Sequence, residues 1–187
     1  MKDDGGPIIH RIKCDIKDLN LLKSLELFNE KSQKLEFVGI SKHLCGVATD
    51  LAIRSLLKMK CDENEKYKFN GFLVAMCCRH RCIYNWLLPE SKEYLLENFN
   101  INSNNFKYLK KLVSWATNGL KINEFNEFDK TLHFTGMNFK QREIIGLKAR
   151  RIIDESRKYA LLKQNYNVKL IKYVSNDISL ENDCLLV

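Results

Sequence analysis

Apolar and polar residues follow one another along the first third of the chain in patterns that predict two strands and a helix. Residues 7–16, PIIHRIKCDI, predict a β-strand with a mixed face, and Asp15 marks its carboxyl end. Residues 35–40, LEFVGI, predict a second strand that runs into SKHLCG. Beyond Gly46 the apolar residues follow helical spacing, and Asp50 lies in the first turn of the predicted helix.

The pattern continues with one buried strand, two helices and two closing strands. Residues 71–76, GFLVAM, are continuously apolar, which predicts a strand buried on both faces. Pro89 opens a predicted helix over residues 90–99, and a long helix is predicted over residues 138–164. The closing segments NVKLIKYV and SLENDCLLV are expected to form antiparallel neighbouring strands. Residues 100–137 show no clear period and are interpreted as an insertion.

Alternating strands and helices predict an α/β fold with a mostly parallel sheet and helices on both faces. No repeat or boundary interrupts residues 1–187, so a single domain is expected. In such sheets, ligands bind beyond the carboxyl ends of the strands. Asp15, SKHLCG and CCRHRC each follow a predicted strand and are therefore expected to meet at one edge. The sequence has no glycine-rich G-x-G turn, with which a complete nucleotide-binding domain opens.

Composition and charge narrow the class of protein. The chain of 187 residues is 45% hydrophobic and 29% charged, as is usual for soluble globular proteins, and no apolar run approaches the ~20 residues that span a bilayer. A formal charge of +8 suits an anionic partner such as nucleic acid, although a coding bias toward Lys and Asn would give the same excess. Seven cysteines without a signal peptide predict reduced thiols and a cytoplasmic or nuclear location.

The stretch CCRHRC, residues 77–82, raises the question of a metal site. Structural zinc usually takes four ligands from two separated arms. Adjacent Cys77 and Cys78 would point apart in an extended chain, and no second arm of matching spacing follows. His43 and Cys45 could complete a site, so zinc stays an alternative. A disulfide is disfavoured in a reducing compartment, and a free cysteine also suits an apolar core.

Basic side chains lie in both SKHLCG and CCRHRC, the two segments that follow predicted strands. In CCRHRC three of them lie in a row, which favours binding of an anion or a substrate over a place in the apolar core: Arg79, His80 and Arg81. In SKHLCG, His43 is a candidate general base and Lys42 a candidate phosphate ligand, but a solvated turn that uses the backbone freedom of Gly46 is an equal alternative. Asp15 could bind the adenine or ribose of a cofactor, or simply start a turn. Trp115 is expected to pack in the core rather than at the rim of a substrate-binding site.

Five blocks of the sequence together resemble the eukaryotic tRNA methyltransferase thirteen family: KHLCGVATDLAIRSL, CCRHRC, SWATNG, RRIIDESRKYALL and SLEN. They occur in family order over residues 8–187. The resemblance implies transfer of a methyl group from S-adenosylmethionine to the ribose 2′-hydroxyl of nucleotide 4 in the tRNA acceptor stem. Two positions depart from the family pattern, because Arg79 stands where a first histidine is usual and Asn118 replaces a cysteine.

The resemblance also implies a partial class I, Rossmann-like methyltransferase fold. The family's first two strands and its glycine-rich cofactor loop correspond to nothing in this chain. The chain is therefore interpreted as the C-terminal part of the methyltransferase domain, and an upstream segment of the same gene product is an expected partner.

Matching the chain to the family residue by residue implies a set of site residues. The cofactor-binding set follows the strand ends: Asp15, Ile16, Lys42, His43, Leu44 and Cys45. The catalytic set has His43 as the preferred general base: His43, Lys42 and His80. The set that contacts RNA is expected to hold the acceptor stem: Arg79, Arg81 and Trp115. No metal is expected.

Two other functions remain as alternatives to a methyltransferase. One is a non-catalytic remnant of the same fold that binds RNA or a protein partner. The other, less favoured, is a zinc-binding module built from the histidines and cysteines of SKHLCG and CCRHRC.

Overall fold

A computed structural model describes residues 9–29, 34–61, 66–117 and 133–187 of the chain. Five α-helices and four strands are labelled in chain order: α1 Leu21–Phe28, β1 Leu35–Cys45, α2 Val47–Cys61, β2 Tyr67–Cys77, α3 Pro89–Phe99, α4 Phe106–Ser114, α5 Phe139–Lys163, β3 Lys169–Lys172 and β4 Asp183–Leu186. Three short 3₁₀ turns complete the set: Ile16–Asp18, Arg79–Arg81 and Tyr84–Trp86. No helix in the described ranges is long and apolar enough to cross a membrane.

The four strands form one mixed sheet in the order β1-β2-β4-β3. β1 and β2 are parallel, whereas β4 pairs antiparallel with both β2 and β3. The predicted α/β class and the antiparallel closing strands are therefore confirmed. The expectation of a mostly parallel sheet is wrong, because β4 inserts between β2 and β3 and runs against both of them.

Two apolar cores hold helices against the sheet and against one another. The first joins the inner faces of β2 and β4 to α2 and the end of α5, through Ile53, Phe72, Met76, Leu161 and Leu185. The second packs α3 and α4 against the middle of α5. α5 begins at a capping box in which the Asn138 side chain accepts from the Gln141 backbone N–H and the Gln141 side chain accepts from that of Asn138. The predicted long helix is thus confirmed.

The structure differs from the sequence prediction in two segments. Residues 9–15 form no strand, and the chain enters a 3₁₀ turn at Ile16–Asp18 that packs against α2. A strand needs a hydrogen-bonded partner, and these residues have none in the sheet. Within residues 100–137, interpreted as an insertion, the structure contains α4, whereas Asn118 lies outside the described residues.

Candidate functional site

Two segments meet at the carboxyl ends of the parallel strands β1 and β2. The strands end in register at Cys45 and Cys77. Gly46 then turns the chain into α2 with a left-handed φ of 57°, and a side chain here would lie 2.5 Å from the backbone of Arg81. Only a glycine allows this contact. The predicted meeting of SKHLCG and CCRHRC at one edge is therefore confirmed, although residues 41–45 are the last part of β1 and not a loop after it. Asp15, which was expected to join them, follows no strand.

His43 occupies a bulge at the end of β1. The ladder pairs Lys42 with Ala75 and Leu44 with Met76, so His43 is the extra residue with no partner in the register. Its φ of 66° lies in the left-handed region, which costs a non-glycine residue about 1–3 kcal/mol. Lys42 and His43 are both exposed. A strained, exposed histidine beside a lysine is an arrangement suited to a reacting group.

An apolar cavity of about 200 Å³ lies between the end of β1, α2 and the 3₁₀ turn Ile16–Asp18. Ile16 and Leu44 line it, so the structure brings together two residues of the predicted cofactor set. Ser41 also lines the cavity, and its buried hydroxyl has no hydrogen-bond partner within the described parts of the chain. A buried hydroxyl without a partner costs free energy, which a ligand in the cavity could recover.

Sequence reasoning missed Ser41, although a signal was present. Alternate residues of β1 are exposed, and Ser41 lies in phase with the half-buried Phe37 and Gly39. A hydroxyl on the inward face of an otherwise apolar strand end is the pattern that could have identified it.

Asp15 plays a local structural part in the turn before α1. Its carboxylate accepts a hydrogen bond from the backbone N–H of Lys17 at 3.0 Å and caps the 3₁₀ turn Ile16–Asp18. This geometry matches the turn-starting alternative. Asp15 is exposed and does not line the cavity that Ile16 enters.

Three cysteine thiols converge where the two strands end. The Sγ atoms of Cys45 and Cys77 are 2.9 Å apart, and those of Cys45, Cys77 and Cys78 all lie within 4.8 Å of one another. Cys78 has a left-handed backbone with φ 45° and ψ 44°, so it does not continue the extended strand. Burial, with the neighbouring sulfur atoms, raises the pKa of Cys77 and of Cys78 above that of an ordinary thiol.

Arg79 is buried behind this edge rather than displayed on it. Its Nε and Nη2 atoms donate to the Asp154 carboxylate at 3.2 and 2.8 Å, and Nη2 also donates to Asp183. Its Nη1 atom donates to the Met76 carbonyl and to Glu181. These bonds use all five N–H groups of the guanidinium, so Arg79 has none left for an RNA phosphate. The predicted RNA contact at this residue is replaced by a role in the framework.

The other predicted contacts for RNA have different environments. His80 and Arg81 are exposed on the 3₁₀ turn that follows β2. Trp115 is half-buried at the end of α4, with its ring edge-on to His133 at a centroid distance of 5.4 Å. α4 packs against the turn that carries His80 and Arg81, which places this helix on the same side of the molecule.

Comparison with known proteins identifies the family. The family model described as Methyltransferase TRM13 matches residues 1–187. Curated relatives carry the name "tRNA:m(4)X modification enzyme TRM13". The relative from Scheffersomyces stipitis is 46% identical over 97% of this chain and 43% of its own length. The relative from Saccharomyces cerevisiae is 37% identical over 97% and 42%, and that from Schizosaccharomyces pombe is 32% identical over 96% and 46%.

The chain thus spans less than half of the length of these relatives. No solved structure matches it. The match of the family model along the whole chain, together with these identities, confirms the resemblance drawn from the sequence blocks: the chain belongs to the methyltransferase TRM13 family.

Proposed function

We propose that the chain is the C-terminal part of an S-adenosylmethionine-dependent tRNA 2′-O-methyltransferase that acts on nucleotide 4 of the acceptor stem. Family membership supports methyl transfer to tRNA, and the "m(4)X" in the name of the relatives supports the position. The observation that carries the proposal is the cavity below the end of β1, which joins predicted cofactor residues to the unpartnered hydroxyl of Ser41.

The residues that line this cavity fit one part of the cofactor. Its apolar walls, including Ile16 and Leu44, suit a flat adenine ring, and Ser41 offers a hydrogen bond to a ring nitrogen. The volume of about 200 Å³ is smaller than the roughly 300–1,000 Å³ of complete ligand sites, so other contacts must come from outside it. S-adenosylmethionine would supply an electrophilic methyl group when bound.

An upstream segment of the same protein is our proposed source of those contacts. β1 forms an edge of the described sheet, and its eleven residues include Val38 and Ile40 with exposed fractions of 60% and 80%. Long, apolar edge strands are usually covered, since they otherwise pair with other chains. The proposal therefore includes a larger, class I methyltransferase sheet. Residues 1–187 would form the C-terminal part of the domain that contains it.

The chain's own residues at the bulge would handle the proton and the phosphate. We assign His43 as the group that accepts the proton of the ribose 2′-hydroxyl at an imidazole nitrogen. The bulge exposes this histidine to solvent at the end of β1, the strand that also lines the cavity. Lys42 would orient the adjacent phosphate through its ammonium group. His80, on the neighbouring turn, is the second candidate for the proton.

RNA would lie across the surface next to this edge. Double-stranded RNA is recognised mainly through its backbone and 2′-hydroxyl groups, and the exposed Arg81 with a chain charge of +8 suits that kind of contact. Trp115 stays in the proposal as a rim residue. A cytoplasmic or nuclear location also remains a proposal.

Isothermal titration of S-adenosylmethionine into the purified 187-residue chain tests the proposal. Weak binding by the chain alone and saturable, micromolar binding once the upstream segment of its gene product is supplied are the expected results, and methylation of tRNA is tested next. Circular dichroism first establishes that the chain is folded. A folded chain that binds tRNA but no S-adenosylmethionine, also when the upstream segment of its gene product is supplied, would contradict the proposal and favour an RNA-binding remnant.

A further inference from the structure

The convergence of three thiols at the end of the parallel strands has no explanation in the proposed methyl transfer. Cys45 and Cys77 face each other because their strands are in register, and their Sγ atoms are 2.9 Å apart. Cys78 would point to the opposite side if the strand continued. Its left-handed backbone instead returns its Sγ to within 4.8 Å of the other two. Cys77 and Cys78 therefore do not point apart, as they would in an extended chain.

The environment of these thiols differs from that of the structural cysteines. Cys82 and Cys184 are buried in the packed interior, where the Sγ of Cys82 accepts from the Nη2 of Arg157. Cys45, Cys77 and Cys78 are only half-buried, so an ion can reach them from the edge of the sheet. A left-handed conformation at a non-glycine residue is costly, and such strain is concentrated at functional sites. Apolar packing would not require it.

The spacing of the three sulfur atoms suits a thiophilic cation. A tetrahedral Zn²⁺ with Zn–S bonds of about 2.3 Å holds its sulfur ligands about 3.8 Å apart. Here one pair of sulfur atoms is 2.9 Å apart and no pair is farther apart than 4.8 Å, so shifts of about 1 Å reach that value. Small side-chain rotations would bring all three into place. A disulfide between Cys45 and Cys77 would use two sulfur atoms and leave the strained position of the third unexplained.

We propose that Cys45, Cys77 and Cys78 form a three-thiolate site for a thiophilic d¹⁰ cation, with Zn²⁺ as the ion. Three thiols bind one Zn²⁺ and release three protons to solvent, and no electron is transferred. The fourth position of the tetrahedron is open to water or to a ligand atom. The ion would tie the end of β1 to the end of β2 and so hold the His43 bulge in place. This site does not depend on the proposed methyl transfer.

Metal uptake by the reduced chain tests the site directly. The chain is purified with a reductant, freed of metal with a chelator, and titrated with Zn²⁺ against a coloured chelator and with Co²⁺ in an absorbance measurement. We expect one equivalent of either ion and a sulfur-to-cobalt charge-transfer band. The Cys77→Ser variant removes a direct ligand of the ion. Its affinity for Zn²⁺ should therefore fall by more than the roughly 10–100-fold that is lost when a residue hydrogen-bonded to a ligand is removed. Cys14→Ser, which removes an exposed thiol that is not part of the cluster, should bind as the unchanged chain does.

A second variant separates loss of the ligand from loss of the fold. Cys78→Gly relieves the left-handed strain, so it should fold at least as well as the unchanged chain and still lose Zn²⁺ affinity. Uptake that this variant retains in full would overturn the proposal. So would a folded, reduced chain that takes up neither ion, and thiol titration without reductant would then show whether a Cys45–Cys77 disulfide forms instead.

Discussion

Arg157 on α5 forms a bidentate ion pair with Asp50 on α2, and both side chains are fully buried. Its Nε donates to Oδ1 at 2.9 Å and its Nη2 donates to Oδ2 at 2.8 Å. The same Nη2 atom donates to the carbonyl of Gly46 at 3.0 Å and contacts the Sγ of Cys82 at 3.1 Å. One guanidinium therefore holds the turn after β1, the start of α2 and the end of CCRHRC.

Arg157→Met should destabilise the fold by about 3–5 kcal/mol, because Asp50 would be left as a buried charge without its partner. Urea unfolding followed by circular dichroism measures the change in the free energy of unfolding. Arg151→Ala is the matched control on the same helix. Its exposed pair with Glu155 is worth no more than about 0.5 kcal/mol.

The double variant Arg157→Met with Asp50→Leu separates a lost ion pair from lost packing. Removing both charges leaves no unpaired charge, although the Gly46 carbonyl still lacks its donor, so part of the stability lost in Arg157→Met should return. A double variant that is no more stable than Arg157→Met would show that the stranded Asp50 charge is not the source of the loss, which would then lie with the hydrogen bonds to Gly46 and Cys82 that both variants lack.

Ser41→Ala should separate stability from cofactor binding. The hydroxyl has no partner among the described residues, so its removal should leave the free energy of unfolding unchanged or raise it by up to about 1 kcal/mol. If a bound ligand accepts or donates at this hydroxyl, the same change should weaken S-adenosylmethionine binding about 3–10-fold. Isothermal titration and urea unfolding measure the two effects. Ser114→Ala, on α4 and outside the cavity, is the control. Equal loss of stability and affinity would contradict this role.

His43→Gly should be about 1 kcal/mol more stable than His43→Ala, because glycine adopts a φ of 66° without steric cost. Both variants remove the imidazole, so both should lose methyl transfer to tRNA in the active enzyme. Thermal unfolding and a methylation assay test the two statements.

His80 provides the control for this comparison. It lies in a 3₁₀ turn without a left-handed φ, so His80→Gly should be less stable than His80→Ala. If the alanine variant is more stable than the glycine variant at both positions, the bulge at His43 carries no strain. Methyl transfer that survives in His43→Gly and fails in His80→Ala would move the proton-accepting role to His80.

Arg81→Ala should weaken binding of the tRNA acceptor stem and lower the dependence of log affinity on log salt concentration by about one. Arg81 is exposed at the edge that also carries Lys42. Fluorescence anisotropy at several salt concentrations measures both quantities. Lys169 is exposed on β3, the outer strand on the side of the sheet away from β1, so Lys169→Ala should change neither quantity. A salt dependence that Arg81→Ala leaves intact would place the RNA elsewhere on the surface.

The sequence by itself determined which segments form helices and strands wherever the pattern was long and regular. α2, α3, α5 and the core of β2 follow from hydrophobic spacing, capping residues and a helix-opening proline, all of which act between neighbours in the chain. It also determined that SKHLCG and CCRHRC lie at the carboxyl ends of strands, which was enough to place them at one edge, although β1 continues through Cys45.

Only the tertiary structure decided what the side chains at that edge do. Arg79 is a framework residue because Asp154, Glu181 and Asp183, between 75 and 104 residues away, surround its guanidinium. Cys45 and Cys77 face each other because their strands pair in register, and the Cys78 thiol joins them because its backbone turns left-handed. Pairing between distant segments sets strand order, burial and these angles, and local hydrophobic spacing carries no information about which distant segment will arrive.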